Sequence, residues 1–252
     1  LSDAELLQSR GLFVAEGRIV VRRVIEDPRY RVRSLLINDA ALREMAPVID
    51  RLDAAVPVYV CRTVRFLAIT GFNIHRGCLA LVERPARQSV GGVLGGAARV
   101  AVLEGVTNPD NVGGVFRNAA AFGTGAVILS PTCCDPLYRK AIRTSMGAVL
   151  RVPFARADAW PGAVTEIRDA GYTIVALTPR EPSMPIAEWR TSQGGPAGQA
   201  KIALVVGTEA TGLSAEAESI ADVRIRIPTT DAVDSLNLAV AVGIALFALR
   251  GV

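Results

Sequence analysis

The stretch TNPDNVGGVFRNAAAFG, Thr107 to Gly123, decides how the rest of the chain is read. It follows the apolar run RVAVLEGV and opens with Asn, Pro and Asp, so it reads as a strand, a tight loop and then a helix. Asp110 or Asn111 is the expected cap, and Gly113 and Gly114 in the first turn let another backbone or a ligand approach closely. One arginine, Arg117, then stands among small and apolar neighbours. A charge kept there either forms a buried salt bridge or acts on a ligand.

Outward from this stretch, the apolar runs RVAVLEGV, GAVILS, YTIVALT, KIALVVG and VRIRIP alternate with helical segments. That is the pattern of a parallel sheet covered on both faces, whose ligands bind beyond the carboxyl ends of the strands. Two further loops at such ends stand out. The loop after KIALVVG reads GTEATGLS, Gly207 to Ser214, a tight backbone surface with Glu209 between two glycines. The chain after VRIRIP reads IPTTDAVDSLNLAVAVGIALF. Here Ser235 is the expected cap of a long apolar helix, and Asn237 in its first turn offers an acceptor and donors. The dinucleotide fingerprint GxGxxG does not follow the first strand and no Walker A sequence occurs, which counts against a nucleotide-dependent enzyme using NAD or ATP.

The front of the chain is organised differently. Short β-type runs (LFVAE, VRSLLI, VPVYV, CLALVE) alternate with helical stretches (GRIVVRRVIED, DAALREMAPVIDRL, TVRFLAI), giving a small α/β domain over residues 1–88. The stretch SVGGVLGGAA, residues 89–98, carries four glycines and reads as a flexible linker reaching roughly 15–20 Å. A larger α/β domain follows over residues 99–252.

Half of the 252 residues are hydrophobic, enough for a substantial core. The net charge of +4 lies wholly in the front, where residues 1–98 hold 14 arginines against 10 acidic residues. The segment containing Arg18, Arg22, Arg23, Arg29, Arg31 and Arg33 suits phosphate groups, since a planar guanidinium binds them through two hydrogen bonds; a solvated helix face is the alternative. The apolar run Leu236–Leu249 contains Asn237 and is shorter than the roughly 20 residues a bilayer requires, so it reads as a buried helix and no membrane span is expected. The first residues lack the basic start and apolar core of a signal peptide, although an exported precursor could already have been trimmed. Four cysteines with an adjacent pair and no CxxC argue against a disulfide framework and against a zinc site. A cytoplasmic protein without a metal is the expectation.

Taken together and in this order, the three loop-and-helix stretches resemble the motifs of the SpoU (TrmH-like) family of RNA ribose 2′-O-methyltransferases, in the SPOUT superfamily. NPDNVGGVFRNAAAFG is similar to the first motif through Asn111 and Arg117, VVGTEATGLS to the second through Glu209, and IPTTDAVDSLNLAVAVGIALF to the third through Ser235 and Asn237. More faintly, FVAEGRIVVRRVI and TGFNIHRGCLALVE resemble the start and end of the family's ribosomal-protein-like RNA-binding domain. Three departures stand in the loops: Ala210 replaces a usual Gly, and Thr229 and Asp231 stand where the family usually has Met and Gly.

The resemblance implies a parallel-sheet catalytic domain tied in a trefoil knot, a rare exception to the rule that chains do not thread loops, with a smaller N-terminal RNA-binding domain. It implies S-adenosylmethionine as cofactor, bound around Thr178, Gly207, Ile227 and Leu236. Arg117, Asn111, Glu209, Ser235 and Asn237 are the implied catalytic set. Because a guanidinium stays protonated, Arg117 is better suited to clamp RNA phosphate and stabilise charge on the 2′-oxygen than to act as a base. Arg143, Arg22 and Arg23 are the expected RNA contacts, and His75 is expected in a structural or RNA-facing place. The resemblance further implies a homodimer acting on RNA, with ribosomal RNA favoured over tRNA because the first domain looks like a ribosomal-protein fold. The alternative is an RNA-binding module of the same fold that has lost methyl transfer.

Overall fold

The computed structural model describes residues 2–70, 77–192, 201–208, 210–230 and 235–250. Glu209, His75 and Asp231 therefore lie outside the described residues. In chain order the front holds α1 (Asp3–Ser9), β1 (Leu12–Glu16), α2 (Arg18–Glu26), β2 (Val32–Asn38), α3 (Asp39–Ile49), β3 (Val58–Cys61), α4 (Thr63–Thr70) and β4 (Cys78–Glu83). Then follow α5 (Val90–Leu94), β5 (Arg99–Leu103), α6 (Pro109–Phe122), β6 (Ala126–Leu129), α7 (Arg139–Thr144), β7 (Phe154–Arg156), α8 (Gly162–Asp169) and β8 (Thr173–Leu177). The last are β9 (Met184–Pro185), α9 (Ile186–Ser192), β10 (Ile202–Val206), α10 (Ala215–Ile220), β11 (Val223–Arg226) and α11 (Leu238–Ala248).

Two compact units are present: one of residues 1–86 with 135–150, the other of 87–134 with 151–252. The first is built on a mixed sheet of order β1-β4-β2-β3, antiparallel except for the β2–β3 pair. Phe13, Leu35, Ile37, Val21, Val24 and Met45 form its buried interior. Segment 135–150, which the sequence reading assigns to the larger domain, belongs here because polar contacts hold it. Arg84 pairs with Asp135 at 2.8 Å, Arg139 N donates to Asp3 Oδ2 at 2.9 Å and Tyr30 Oη donates to Leu150 O at 2.9 Å.

The second unit is a seven-stranded sheet of order β7-β6-β5-β10-β8-β11-β9, parallel throughout. Alternate residues of β5 point to opposite faces, and Val100, Ala101, Val102 and Leu103 are all fully buried, so both faces are covered. The α/β class read from the sequence is met. Strands β7 and β9 go beyond the expected five; at three and two residues they are too short to show a period.

The expected linker is corrected. Ser89 caps α5 by accepting from Gly92 N, and Val90, Val93, Leu94 and Ala97 are buried against the sheet with Val164 and Ile167 of α8. The apolar residues between the glycines decide the outcome: their burial outweighs the freedom glycine gives the backbone.

Candidate active site

The strand order explains where the site forms. β10 enters between β5 and β8, and β11 between β8 and β9, so the carboxyl ends of β8, β10 and β11 lie side by side. Beyond them opens a cavity of about 380 Å³, lined by Leu177–Arg180, Val206–Thr208, Ala210–Gly212, Arg226, Ile227, Thr229, Ser235, Leu236, Leu238 and Ala241. Thr178, Gly207, Ile227, Leu236 and Ser235, separated by up to 58 residues in sequence, are thereby brought together. Ala210 and Thr229, two of the three departures from the family pattern, are in the same wall.

Gly207 is required by space. A Cβ there would stand 2.1 Å from the carbonyl carbon and oxygen of Gly212 and 2.4 Å from Leu213 N. The loop folds back that closely because Thr208 and Gly212 exchange backbone hydrogen bonds of 3.2 and 3.0 Å, with Gly212 at φ +68°. Ser214 then caps α10 by accepting from Ala217 N at 3.1 Å.

Both caps expected beside the cavity are corrected by two or three positions. Asn108, not Asp110 or Asn111, caps α6, because Pro109 then takes the first helical position, where its missing N–H costs nothing. Gly113 and Gly114 consequently sit in the second turn. Asn111 is free to turn inward, where it is 3% exposed. Asn237, not Ser235, caps α11: its Oδ1 accepts from Val240 N at 3.3 Å, and its Nδ2 donates to Asn111 Oδ1 at 2.9 Å. The close approach expected at the α6 glycines is found at Gly114, where a Cβ would meet Ala239 Cβ at 2.5 Å. Asn118 Nδ2 donates to Ala239 O at 2.6 Å along the same seam.

Arg117 is exposed on α6, lies outside the cavity lining and makes no hydrogen bond or ion pair with any described residue. The buried salt bridge considered for it is thus excluded among the described residues. Arg22 and Arg143 are exposed, both in the first unit, whereas Arg23 is partly buried and donates from Nη1 to Met146 O at 2.5 Å. Sequence reasoning missed Arg180, two residues after Thr178 and just past the end of β8; the rule that ligands bind beyond strand ends would have found it. It also missed Glu104 at the end of β5, whose Oε1 accepts from Trp160 Nε1 at 2.5 Å and Oε2 from Ser214 N at 2.9 Å, fixing the start of α10.

Residues 98–247 match the SpoU rRNA methylase family. The chain belongs to that family. Uncharacterized tRNA/rRNA methyltransferases of Mycobacterium bovis and Mycobacterium tuberculosis are 38% identical to it over 243 residues, which is 96% of this chain and 82% of each relative. An AdoMet-bound rRNA methyltransferase from Sinorhizobium meliloti superposes with a TM-score of 0.79 at 25% identity, covering 97% of this chain and 88% of that one. AviRb from Streptomyces viridochromogenes, solved with AdoMet, shares the fold at a TM-score of 0.76 and 21% identity, over 96% and 91% of the two chains. The family read from the three motifs is borne out, and membership in a family of RNA methylases leaves no place for the NAD or ATP reading.

Proposed function

We propose that this SpoU-family protein transfers a methyl group from S-adenosylmethionine to a ribose 2′-oxygen of ribosomal RNA, as a homodimer. The observation that carries the reading is the cavity in which the loops of the second and third motifs converge with Thr178. Its volume falls in the range of about 300–1,000 Å³ usual for small-molecule sites. Its lining suits the cofactor: apolar walls of Leu177, Val206, Ile227, Leu236 and Leu238, and backbone left open at Gly207. Thr178, Gly207, Ile227 and Leu236 would hold the group there, and Ser235 stands at the same mouth.

When bound, S-adenosylmethionine would supply an electrophilic methyl on its sulfonium: the methyl–sulfur bond would break as the bond to the ribose oxygen forms, S-adenosylhomocysteine would leave, and the hydroxyl proton would pass to water. What the chain must add is mainly alignment. Asn111 and Asn237 lock the first and third motifs together next to Leu236, and Arg117, with its guanidinium unengaged by described residues, is available to grip an RNA phosphate and favour the charged 2′-oxygen. Arg22 and Arg143 are the proposed phosphate contacts of the first unit; Arg23 is the weaker candidate because its Nη1 is already used.

The homodimer reading rests on α11. Val240, Ile244 and Phe247 are 51%, 40% and 60% exposed and recur at spacings of four and three, so they form one apolar face left in water. Phe247 continues it onto Phe122 of α6, ring centroids 5.8 Å apart. A cytoplasmic location fits the family. Among the described residues, no helix is long and apolar enough to cross a membrane.

Ribose methylation mapped across total RNA from cells with and without the gene tests the reaction and names its substrate. One lost site in ribosomal RNA is the expected result, and a lost site in tRNA corrects the substrate. No lost site, together with RNA binding and no calorimetric signal for S-adenosylmethionine, leaves the binding module that Ala210 and Thr229 in the cavity wall would favour.

A further inference from the structure

Glu218, on α10, is 7% exposed and is the one charged residue so deeply buried among the described residues. A carboxylate that far from water is tolerated only when opposite charges and hydrogen-bond donors surround it. Thr178 Oγ1 donates to its Oε1 at 3.0 Å, Arg180 Nη1 lies 3.3 Å from the same oxygen, and Arg224 Nη1 lies 3.8 Å from Oε2. Two of these three partners, Thr178 and Arg180, line the cavity. The third, Arg224, is on β11 two residues before Arg226, which also lines it.

Arg180 carries the connection further. Its Nη1 donates to Leu213 O at 3.0 Å and its Nη2 to Thr211 O, so the guanidinium spans from the carboxylate to the loop that follows Gly207. Its backbone N donates to Thr178 Oγ1 at 3.2 Å. Sheet pairing runs to Leu177 in β8, Val206 in β10 and Arg226 in β11, with Thr178 N still donating to Ile225 O at 2.9 Å just past the end of β8. The loops beyond β8 and β10 need another tie, and this network supplies one between them, anchored on β11 at Arg224.

We infer that Glu218 is a positioning residue for the methyl donor: through Thr178 and Arg180 it holds the cavity loops after β8 and β10 in their binding arrangement, with Arg224 anchoring it to β11. This rests on the proposal that S-adenosylmethionine binds in the cavity. Arg180 acts here as a strut, not as an anion anchor, because Nη1 and Nη2 are already engaged by Glu218 and two carbonyls. Among the described residues no hydrogen bond or ion pair joins Glu218 to Asn111, Asn237 or Arg117, so its effect falls on binding and spares the chemical step.

The test is calorimetric titration of the full-length protein with S-adenosylmethionine, paired with single-turnover kinetics at saturating cofactor. Glu218→Gln keeps the shape and an acceptor for Thr178 but removes the charge that holds both arginines. It is expected to raise the dissociation constant roughly 10-fold, equivalent to about 1.4 kcal/mol, with turnover at saturation changed less than about twofold. Arg180→Gln, on a half-exposed side chain, is expected to weaken binding similarly, and the double variant to be no worse than the weaker single, with melting curves recorded for each. Unchanged affinity in Glu218→Gln, or effects of the two changes that multiply in the double variant, would overturn the clamp while leaving the cofactor proposal standing. Absence of binding by the unmodified protein would overturn both.

Discussion

The Asn237 amide is committed at both ends: Oδ1 accepts from Val240 N at 3.3 Å and caps α11, while Nδ2 donates to Asn111 Oδ1 at 2.9 Å on α6. One side chain thus sets where the third-motif helix starts and ties it to the first motif. Had Ser235 been the cap, an alanine at 237 would have been harmless to the helix. With Asn237 as the cap, Asn237→Ala is expected to cost about 1 kcal/mol of stability, and Asn237→Ser, a good cap, to recover most of it. Both variants lose the donor to Asn111, so both are expected to lower turnover by roughly 10-fold. Melting curves beside single-turnover rates check this; full activity in the serine variant would remove the Asn111 contact from the mechanism.

Arg117→Ala is expected to abolish methyl transfer with melting temperature and cofactor affinity unchanged, since the side chain is exposed and bonded to no described residue. Arg117→Lys is not expected to restore activity, because a point charge does not reproduce a two-pronged grip on phosphate. A large drop in melting temperature for the alanine variant would show a structural role instead.

Gly207→Ala places a methyl 2.1 Å from the Gly212 carbonyl, so the turn must open. A stability loss of about 1–3 kcal/mol is expected, with cofactor affinity lowered at least roughly 10-fold. Gly162→Ala, at the start of α8 with nothing within 4 Å of the added Cβ, is the contrasting case and is expected to stabilise by about 0.4–1 kcal/mol. Equal behaviour of the two variants would contradict the spatial requirement at Gly207.

Arg22→Ala tests whether the first unit contributes RNA affinity. Arg22 is exposed on α2, and among the described residues it forms no ion pair, unlike Arg18, Arg29 and Arg33, which pair with Glu44, Asp27 and Glu83. RNA binding is expected to weaken, with the slope of log affinity against log salt reduced by about 1 and S-adenosylmethionine affinity unaltered. An unchanged salt slope would take Arg22 out of the interface.

Alkaline stability should depend on Cys78, which is fully buried in β4 and whose thiol is pushed up to about 12 by burial, with Arg18 opposing. The unfolded thiol titrates near its ordinary value of about 8.5. Between those values the unfolded state releases a proton that the folded state keeps, so unfolding becomes easier as pH rises; below them the contribution is complete. Tyr30, also pushed up to about 12 mainly by burial, acts in the same direction. Cys78→Ala should lose less melting temperature than the unmodified protein between pH 8 and pH 10 (roughly the thiol window). Parallel profiles would sink the assignment.

Much of the second unit was legible because its central strands are continuous apolar runs bounded by turn residues, and the loops past their ends carry the residues that now line the cavity. Helix starts were less so. Asn108, Asp110 and Asn111 all make good caps, and Pro109 selects among them only once the helix register is known. Likewise Ser235 and Asn237 compete, and the contact to Asn111, 126 residues away, favours Asn237.

Sequence alone determined the family, the α/β alternation and the loops at the strand ends that bear the family's motifs, because strand and helix periods and glycine turns are local preferences written within a few residues. The tertiary structure decided that α5 packs into the core, that 135–150 joins the first unit, and that β10 and β11 enter between earlier strands. It also brought Glu218 to Thr178 and Arg180 across about 40 residues of chain. Those outcomes come from burial and from pairing of distant charges. Their energies depend on which segments meet in space, and no local pattern encodes that.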